Sequence, residues 1–127
     1  MDSTEKPLYW VGTTRDDVHD LPDDVRRLFG FALRQAQRGQ KHPLAKPLRG
    51  FGGAGVIEIV AAHDGNAYRA VYTVRFEKAV YVLHVFQKKS THGISTPKRD
   101  IDLITDRLKH AQDHHLSLIK GDSSHDR

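Results

Sequence analysis

Two neighbouring segments in the middle of the chain have the composition of paired β-strands, and they constrain the fold more than any other feature. Residues 67–76 and 79–87 are rich in valine, tyrosine and phenylalanine, and they are joined tightly at Glu77-Lys78. A connection this short joins antiparallel strands, because parallel strands require a long crossover. Both faces of the second segment are largely apolar, which is typical of an interior strand. The sequence therefore predicts an antiparallel sheet around this hairpin.

Alternation of side chains assigns the residues of this hairpin to opposite faces of the sheet. In the first strand, the pattern puts Arg69 and Arg75 on one face. In the second strand, it sets Val80, Val82, His84 and Phe86 against Tyr81, Leu83, Val85 and Gln87. The second strand then runs into Lys88-Lys89. Fixed positive charge inside one strand and at the end of the next suits a polyanion, and RNA is the leading candidate.

The remaining elements surround this hairpin. A first strand is predicted at residues 8–11, and a helix follows with Asp20 as its cap, Pro22 in its first turn and Gly39 as its stop. Then come a loop at 40–55, a strand at 56–60, an Asp-Gly turn at 63–66 and a second helix from Thr96-Pro97. These elements predict an α+β fold, a small antiparallel sheet with helices packed on one face. We expect a single domain over residues 1–120 and a disordered tail over 121–127.

Positive charge is concentrated in the middle of the chain. The 127 residues have a formal net charge of +4, but residues 26–99 carry fourteen bases and three acids, a net of +11. Residues 1–24 have two bases and seven acids, a net of −5, and residues 100–127 have four bases and six acids, a net of −2. This distribution favours a nucleic-acid ligand, although a solvated lysine-rich surface would give the same pattern.

The composition also bears on the compartment. The chain has no cysteine, so disulfide and thiolate chemistry are excluded. The sequence has no recognisable signal peptide and no apolar stretch long enough to span a bilayer. We therefore expect a cytoplasmic protein without a membrane partner.

Arg69 is the strongest candidate for phosphate binding, because its planar fork of donors matches a phosphate group. A salt bridge to Glu58 across the sheet is the alternative, since an arginine among apolar neighbours has to be paired or bound. Lys88 and Lys89 are the candidates at the end of the last strand. Their alternative role is to protect a sheet edge from aggregation.

The groups that could transfer protons are less clearly marked. His84 could be a general acid or base or a hydrogen-bonded core histidine, and Glu58 could be a base or only the partner of Arg69. His110 and His114 have a spacing that zinc can use, but no third ligand and no carboxylate cluster for magnesium is evident. We expect no metal and no cofactor. Any RNA cleavage would then use the 2′-hydroxyl as nucleophile, with basic residues stabilising the phosphorane.

The central residues resemble the RelE/ParE toxin superfamily, most closely the HigB-type, phage-related toxins of type II toxin–antitoxin systems. The resemblance rests on Glu-Ile at 58–59, Tyr-Arg at 68–69 and Leu-His-Val-Phe-Gln-Lys-Lys-Ser at 83–90. The Phe-x-Lys-Lys-Ser segment is its most specific part. The similarity extends from the Trp10 strand to Thr96-Pro97 and the last helix.

The resemblance implies a RelE-like fold and a metal-independent messenger-RNA endoribonuclease that acts on translating ribosomes and inhibits translation. It implies catalytic roles for Arg69, Lys88 and Lys89, with His84 and Glu58 as further catalytic candidates. Several relatives have a basic residue where Glu58 stands, so the general base stays open. The positions expected to contact RNA are Arg75, Arg49, Lys46, Ser90 and His92. The implied partners are the ribosome, messenger RNA and a cognate antitoxin, commonly a helix-turn-helix DNA-binding protein.

Two other functions fit the same resemblance. One is a non-nuclease inhibitor of DNA gyrase, as in ParE-like relatives, and the other is an inactive RNA-binding relative. The Lys88-Lys89 pair favours the nuclease, because the gyrase-directed branch generally lacks a complete basic catalytic set.

Overall fold

A sheet of five strands forms the centre of the fold in the computed structural model, which describes residues 5–52, 55–88 and 96–125. Over those residues the elements are β1 (Leu8–Trp10), α1 (Thr14–His19), α2 (Asp23–Gln37), β2 (Lys46–Pro47), β3 (Val56–His63), β4 (Asn66–Thr73), β5 (Val80–Lys88) and α3 (Lys98–His125). The strands lie in the order β1-β5-β4-β3-β2. The α+β class, a small sheet with helices, is confirmed.

The β3–β4–β5 meander is antiparallel throughout, as its short connections predict. The β3–β4 turn contains Asp64 and Gly65 with φ of 56° and 79°, which is the positive-φ pair that a tight hairpin turn favours. β1 differs from the prediction, because it pairs with β5 in parallel, with Leu8 opposite Val80. The parallel pairing joins residues about seventy positions apart, and no local pattern in the sequence specifies it.

A bulge in β5 overturns the predicted assignment of its faces. Val71 pairs with His84 but the next residue, Tyr72, pairs with Val82, so Leu83 is an extra residue in the ladder. An extra residue reverses the alternation on its strand. His84 therefore lies on the opposite face from Val82, whereas the uninterrupted pattern puts the two together.

Helices cover both faces of the sheet, which corrects the prediction of helices on one face. On one face, α2 packs its buried residues Val25, Phe29, Ala32, Leu33 and Ala36 against Ile59, Ala70, Tyr72 and Val82. On the other face, Ile104 and Ala111 of α3 pack with Val56, Val71, Tyr81 and Leu83. The physical reason is that β5 is an interior strand whose two faces are both apolar. Its two apolar faces each require a cover, and burial of each contributes hydrophobic stabilisation.

The helix ends differ from the sequence prediction in detail. α2 begins at Asp23 with Pro22 at its capping position and no side-chain cap, while Asp20 ends the short helix α1, which the sequence analysis did not predict. α3 begins just after Thr96-Pro97, as predicted, and its backbone continues to His125, into the segment expected to be a tail. No helix within the described residues is long and apolar enough to cross a membrane.

Candidate functional site

One row of side chains crosses the sheet on the face that α3 covers. The register pairs Lys46 of β2 with Glu58 of β3, Glu58 with Val71 of β4, and Val71 with His84 of β5. Residues directly opposite each other in neighbouring strands share a face of the sheet. In the adjacent row, Arg69 is opposite Phe86. The strand register thus brings together three of the predicted catalytic residues, Glu58, Arg69 and His84.

Arg69 and Glu58 form a salt bridge inside this face. The Arg69 Nη1 atom lies 2.6 Å from Glu58 Oε2, and the two side chains are only 10% and 16% exposed. Thr96 Oγ1 donates a second hydrogen bond to the same carboxylate oxygen, at 3.2 Å. Two roles were considered for Arg69, phosphate binding and a salt bridge to Glu58, and the structure shows the salt bridge. Its role in phosphate binding stays a prediction.

His84 is paired in a similar way with a residue of α3. Its Nε2 atom lies 2.8 Å from Asp100 Oδ1, and its ring stacks on Phe86 with the centroids 4.3 Å apart. The other ring nitrogen, Nδ1, is buried and has no hydrogen-bond partner in the structure as described. If Nε2 carries the proton towards Asp100, Nδ1 keeps a lone pair that none of the described residues uses.

Burial dominates the electrostatics of His84. The pKa of the imidazole is lowered because the ring is withdrawn from water. The hydrogen bond and charge of Asp100 oppose this shift, and Arg107 adds to it. The imidazole is therefore held in its neutral form near neutrality, which is the form required of a general base.

The first turn of α3 completes the site. Thr96 and Asp100 bring a hydroxyl and a carboxylate to Glu58 and His84, and the sequence analysis predicted neither contact. The sequence does contain one signal for this turn, the Thr96-Pro97 pair that starts the helix. Which strand residues the turn meets depends on the bulge in β5, because the bulge directs His84 towards α3.

The basic residues expected to contact RNA are dispersed. Lys46 is exposed and lies in the same row as Glu58, and Arg49 is exposed in the loop that follows β2. Arg75 lies beyond the end of β4, six residues from Arg69, or about 20 Å along an extended chain. Its guanidinium carbon is 5.8 Å from the centre of the Phe76 ring. Arg75 is therefore not part of the cluster around Arg69.

The basic end of β5 is described only in part. The backbone of Lys88 pairs with Ala67, in the register that continues from Arg69 and Phe86. The Lys88 side chain and the residues Lys89, Ser90 and His92 lie outside the described part of the chain. Their proposed roles stay predictions.

Of the two histidines with zinc-compatible spacing, His110 is exposed and His114 contacts a tyrosine, while the neighbouring His115 also has a structural partner. His114 Nδ1 lies 2.7 Å from the hydroxyl of Tyr81, and the buried His115 accepts a hydrogen bond from the backbone N–H of Lys78. Across residues 5–52, 55–88 and 96–125, no three His, Asp or Glu side chains are arranged to hold a metal ion.

Comparisons with known proteins identify relatives of the chain. The sequence model of the family described as Phage derived protein Gp49-like (DUF891) matches residues 16–109, a span that contains Glu58, Arg69, His84 and Asp100. A search of curated proteins finds no match.

Among solved structures, a mutant of the Escherichia coli toxin RelE in the free state is similar to this chain. It has a TM-score of 0.54 and 19% sequence identity, over 84% of this chain and 97% of that one. The toxin–antitoxin complex RelBE2 from Mycobacterium tuberculosis also matches, with a TM-score of 0.44 and 25% identity over 70% of this chain and 98% of that one. The first likeness shows a shared fold.

Proposed function

The chain belongs to the family of phage-derived Gp49-like proteins, and on that premise we propose that it is the toxin of a type II toxin–antitoxin system. We further propose that it is a metal-independent endoribonuclease that cleaves messenger RNA on translating ribosomes. The fold shared with a protein named as a toxin supports the first statement. The strongly basic middle of the chain, with a net charge of +11 over residues 26–99 from fourteen bases and three acids, supports an RNA substrate.

The observation that carries the proposed chemistry is that a guanidinium, a carboxylate and a neutral imidazole share one face of the sheet, with Val71 between Glu58 and His84. RNA supplies its own nucleophile, so an enzyme has only to align the 2′-hydroxyl, stabilise the phosphorane and move two protons. Arg69 is suited to the charge and His84 to a proton. The attack forms the 2′-O–P bond and breaks the P–5′-O bond. His84 or Glu58 takes the proton of the 2′-hydroxyl, and the leaving 5′-oxygen takes a proton from that protonated base or from water.

The Arg69–Glu58 salt bridge sets a condition on this chemistry. A phosphate bound to the Arg69 guanidinium would share it with the Glu58 carboxylate, whose Oε2 lies 2.6 Å from Arg69 Nη1, or displace that carboxylate. Release of Glu58 at that moment would leave a carboxylate beside the substrate, where it could accept a proton. Glu58 is therefore the second candidate base, after His84.

The basic end of β5 would supply the remaining positive charge. In this proposal Lys88 and Lys89 stabilise the phosphorane together with Arg69. Lys46, Arg49, Ser90 and His92 contact the RNA around the cleavage point, and Arg75 contacts it farther away. The proposed partners are the ribosome, messenger RNA and a cognate antitoxin, for which a helix-turn-helix DNA-binding protein is the expected class. The proposed reaction requires no cofactor.

Expression in a bacterium tests the proposal. The wild-type chain should arrest growth and generate new messenger-RNA 5′ ends, and His84→Gln should weaken both effects because the variant lacks a titratable group. Arg26→Ala, which removes an exposed pair with Asp23 and an exposed hydrogen bond to the His19 carbonyl, should behave as wild type. Arrest with DNA damage and intact messenger RNA would indicate a gyrase inhibitor instead. Unimpaired growth with the wild-type protein present would exclude both toxic activities.

A further inference from the structure

A second cationic region lies on α2, on the side of the sheet opposite Arg69. The chain has no acidic residue from 25 to 57, and α2 with the residues just after it has five basic ones: Arg26, Arg27, Arg34, Arg38 and Lys41. α2 buries one side against the sheet and exposes the other. The proposed cleavage chemistry does not use this exposed side.

The exposed side of α2 combines arginines with an aromatic ring. Arg27, Phe31 and Arg34 are exposed and spaced i, i+4 and i+7, so they form one stripe. The two arginines are separated by about 10 Å along the helix axis, with Phe31 between them. Neither arginine forms an ion pair with any residue in the described ranges 5–52, 55–88 and 96–125.

The aromatic ring in this stripe is exposed but supported. Phe31 is 58% exposed, which is unusual for a phenylalanine in a surface helix. The ring of His42 packs edge-on against it, with the centroids 6.0 Å apart. His42 is held in turn, because its Nδ1 accepts a hydrogen bond from the backbone N–H of Leu44 at 3.0 Å. The loop after α2 therefore fixes one side of the Phe31 ring and leaves the rest accessible.

We propose that this α2 outer surface, made of Arg27, Phe31, Arg34, His42 and Leu44, binds an unpaired segment of RNA. A base would stack on the Phe31 ring, and the flanking phosphates would contact Arg27 and Arg34. An unpaired segment is required because bases inside an A-form helix are already stacked and unavailable to a side chain. The proposed function contributes only the choice of RNA as ligand, and the geometry comes from α2.

RNA fits this surface better than a protein partner does. Exposed arginines flank Phe31 on both sides along the helix, and each guanidinium can contact a phosphate in a bidentate manner. No acidic residue lies between Arg27 and Arg34 along α2, and the carboxylates one turn before Arg27, those of Asp23 and Asp24, are paired with Arg26 and His63. The sheet separates this surface from Arg69, so the RNA bound there is a different stretch from the one that is cleaved. It could belong to the same messenger RNA or to an unpaired loop of ribosomal RNA.

Binding to a non-cleavable RNA tests the proposal. The probe is an oligouridine of about 12 nucleotides, a length within the site sizes of single-strand binders. Its riboses carry 2′-O-methyl groups, so it has no nucleophile for the proposed cleavage. Arg27→Gln combined with Arg34→Gln should weaken binding at low salt and reduce the slope of log affinity against log salt concentration by about 1.4, since each lost contact contributes about 0.7. The matched control, Lys109→Gln with Lys120→Gln, removes two exposed cations of α3 and should bind as wild type.

The aromatic contribution is measured separately. Phe31→Leu should weaken binding about five-fold or more at every salt concentration without changing the slope, whereas Phe31→Tyr should bind as wild type. Repeating the measurements with purified ribosomes identifies the source. If the α2 variants bind both ribosomes and the oligonucleotide more weakly than wild type, the surface binds ribosomal RNA. If they bind only the oligonucleotide more weakly, the surface binds messenger RNA.

Two results would overturn the proposal: unchanged probe binding in the Phe31→Leu and double-glutamine variants, or an equal loss in the α3 control. Loss of binding to an antitoxin with RNA binding intact would also overturn it and would make the surface a protein interface. Because the probe cannot be cleaved, the test does not depend on nuclease activity. A chain that binds the probe through α2 but leaves messenger RNA intact would refute the proposed function alone.

Discussion

At the scale of single residues, the Arg69–Glu58 pair stabilises the fold whether or not it takes part in catalysis. Removing one partner of a mostly buried ion pair leaves an uncompensated charge, at a cost of roughly 3 kcal/mol. We therefore predict that Arg69→Ala lowers the free energy of unfolding by about that amount, and that Arg69→Met with Glu58→Gln recovers much of it. Urea denaturation measures both. Arg26→Ala is the control, because Arg26 and Asp23 are 40% and 74% exposed and such pairs contribute little. Equal effects at Arg69 and Arg26 would contradict a buried pair.

This prediction affects how toxicity assays should be read. An Arg69→Ala variant could lose activity because it unfolds or because it no longer binds phosphate. The Arg69→Met, Glu58→Gln variant separates the two causes, since it has the same net charge as wild type at this site and no orphaned carboxylate. If this variant folds and is inactive, the Arg69–Glu58 pair has a role beyond stability, and the activity of Glu58→Gln alone shows whether the loss comes from Glu58 or from Arg69.

His84 makes stability depend on pH. Burial lowers its pKa in the folded protein, so the unfolded chain binds the proton more readily. The contribution of neutral His84 to stability is complete above the ordinary histidine pKa of about 6.5 and is lost as the pH falls through the lowered value. Stability should be lower near pH 5 than near pH 7.5, and His84→Gln should reduce the difference. Urea denaturation at the two pH values, with the exposed His19→Gln as control, checks this. An unchanged pH dependence in His84→Gln would contradict the assignment.

At the scale of elements, polar contacts along its length hold α3 to the sheet. The Leu83 carbonyl, displaced from the ladder by the bulge, accepts a hydrogen bond from Arg107 at 2.9 Å. That guanidinium packs against Gly12 between β1 and α1, where an added Cβ would lie 2.7 Å from Arg107 Nη2. The β1–α1 turn and α3 therefore support each other through one side chain.

Substitution of Gly12 tests this packing. Gly12 and Gly39 have positive φ of 62° and 77°, so alanine is strained at both, but only Gly12 has an atom within 4 Å of the added Cβ. Gly12→Ala should therefore cost about 1 kcal/mol more than Gly39→Ala, through loss of the Arg107 hydrogen bond. Arg107→Ala should abolish this excess. Thermal or urea unfolding of the variants gives the comparison, and equal losses at the two glycines would contradict it.

Local elements were predictable from the sequence where local chemistry specifies them. Asp64-Gly65 marks the β3–β4 turn, and Thr96-Pro97 marks the start of α3. The parallel pairing of β1 and the two-residue strand β2 depend on distant partners, so alternation and turn residues do not reveal them. The bulge at Leu83 had the largest consequence. An interrupted alternation cannot be distinguished by composition from a continuous one when both faces are apolar, and the error put His84 on the wrong face.

The candidate site also combines residues that local sequence identifies with residues that only the packing of distant elements brings to it. Arg69, Glu58 and His84 could be selected from residue type and strand position, and the salt bridge was one of the two alternatives for Arg69. Asp100 and Thr96 could not be selected, because their roles depend on where α3 crosses the sheet. An acidic residue in the first turn of a helix normally only complements the helix dipole.

At the scale of the whole molecule, the two surfaces proposed for RNA lie on opposite sides of one sheet. The buried site beneath α3 is proposed to cleave the strand, and the α2 outer surface is proposed to bind RNA elsewhere. The chemistry of the first surface specifies the ends of the product, because attack by the 2′-hydroxyl can produce only one kind of terminus at each side of the break.

The most direct measurement is the chemistry of the RNA ends formed when the purified chain acts on messenger RNA bound to translating ribosomes. We predict a 2′,3′-cyclic phosphate on the upstream fragment and a 5′-hydroxyl on the downstream fragment, with both reduced in His84→Gln. Messenger RNA that stays intact, or fragments with a 5′-phosphate and a 3′-hydroxyl, would contradict the account.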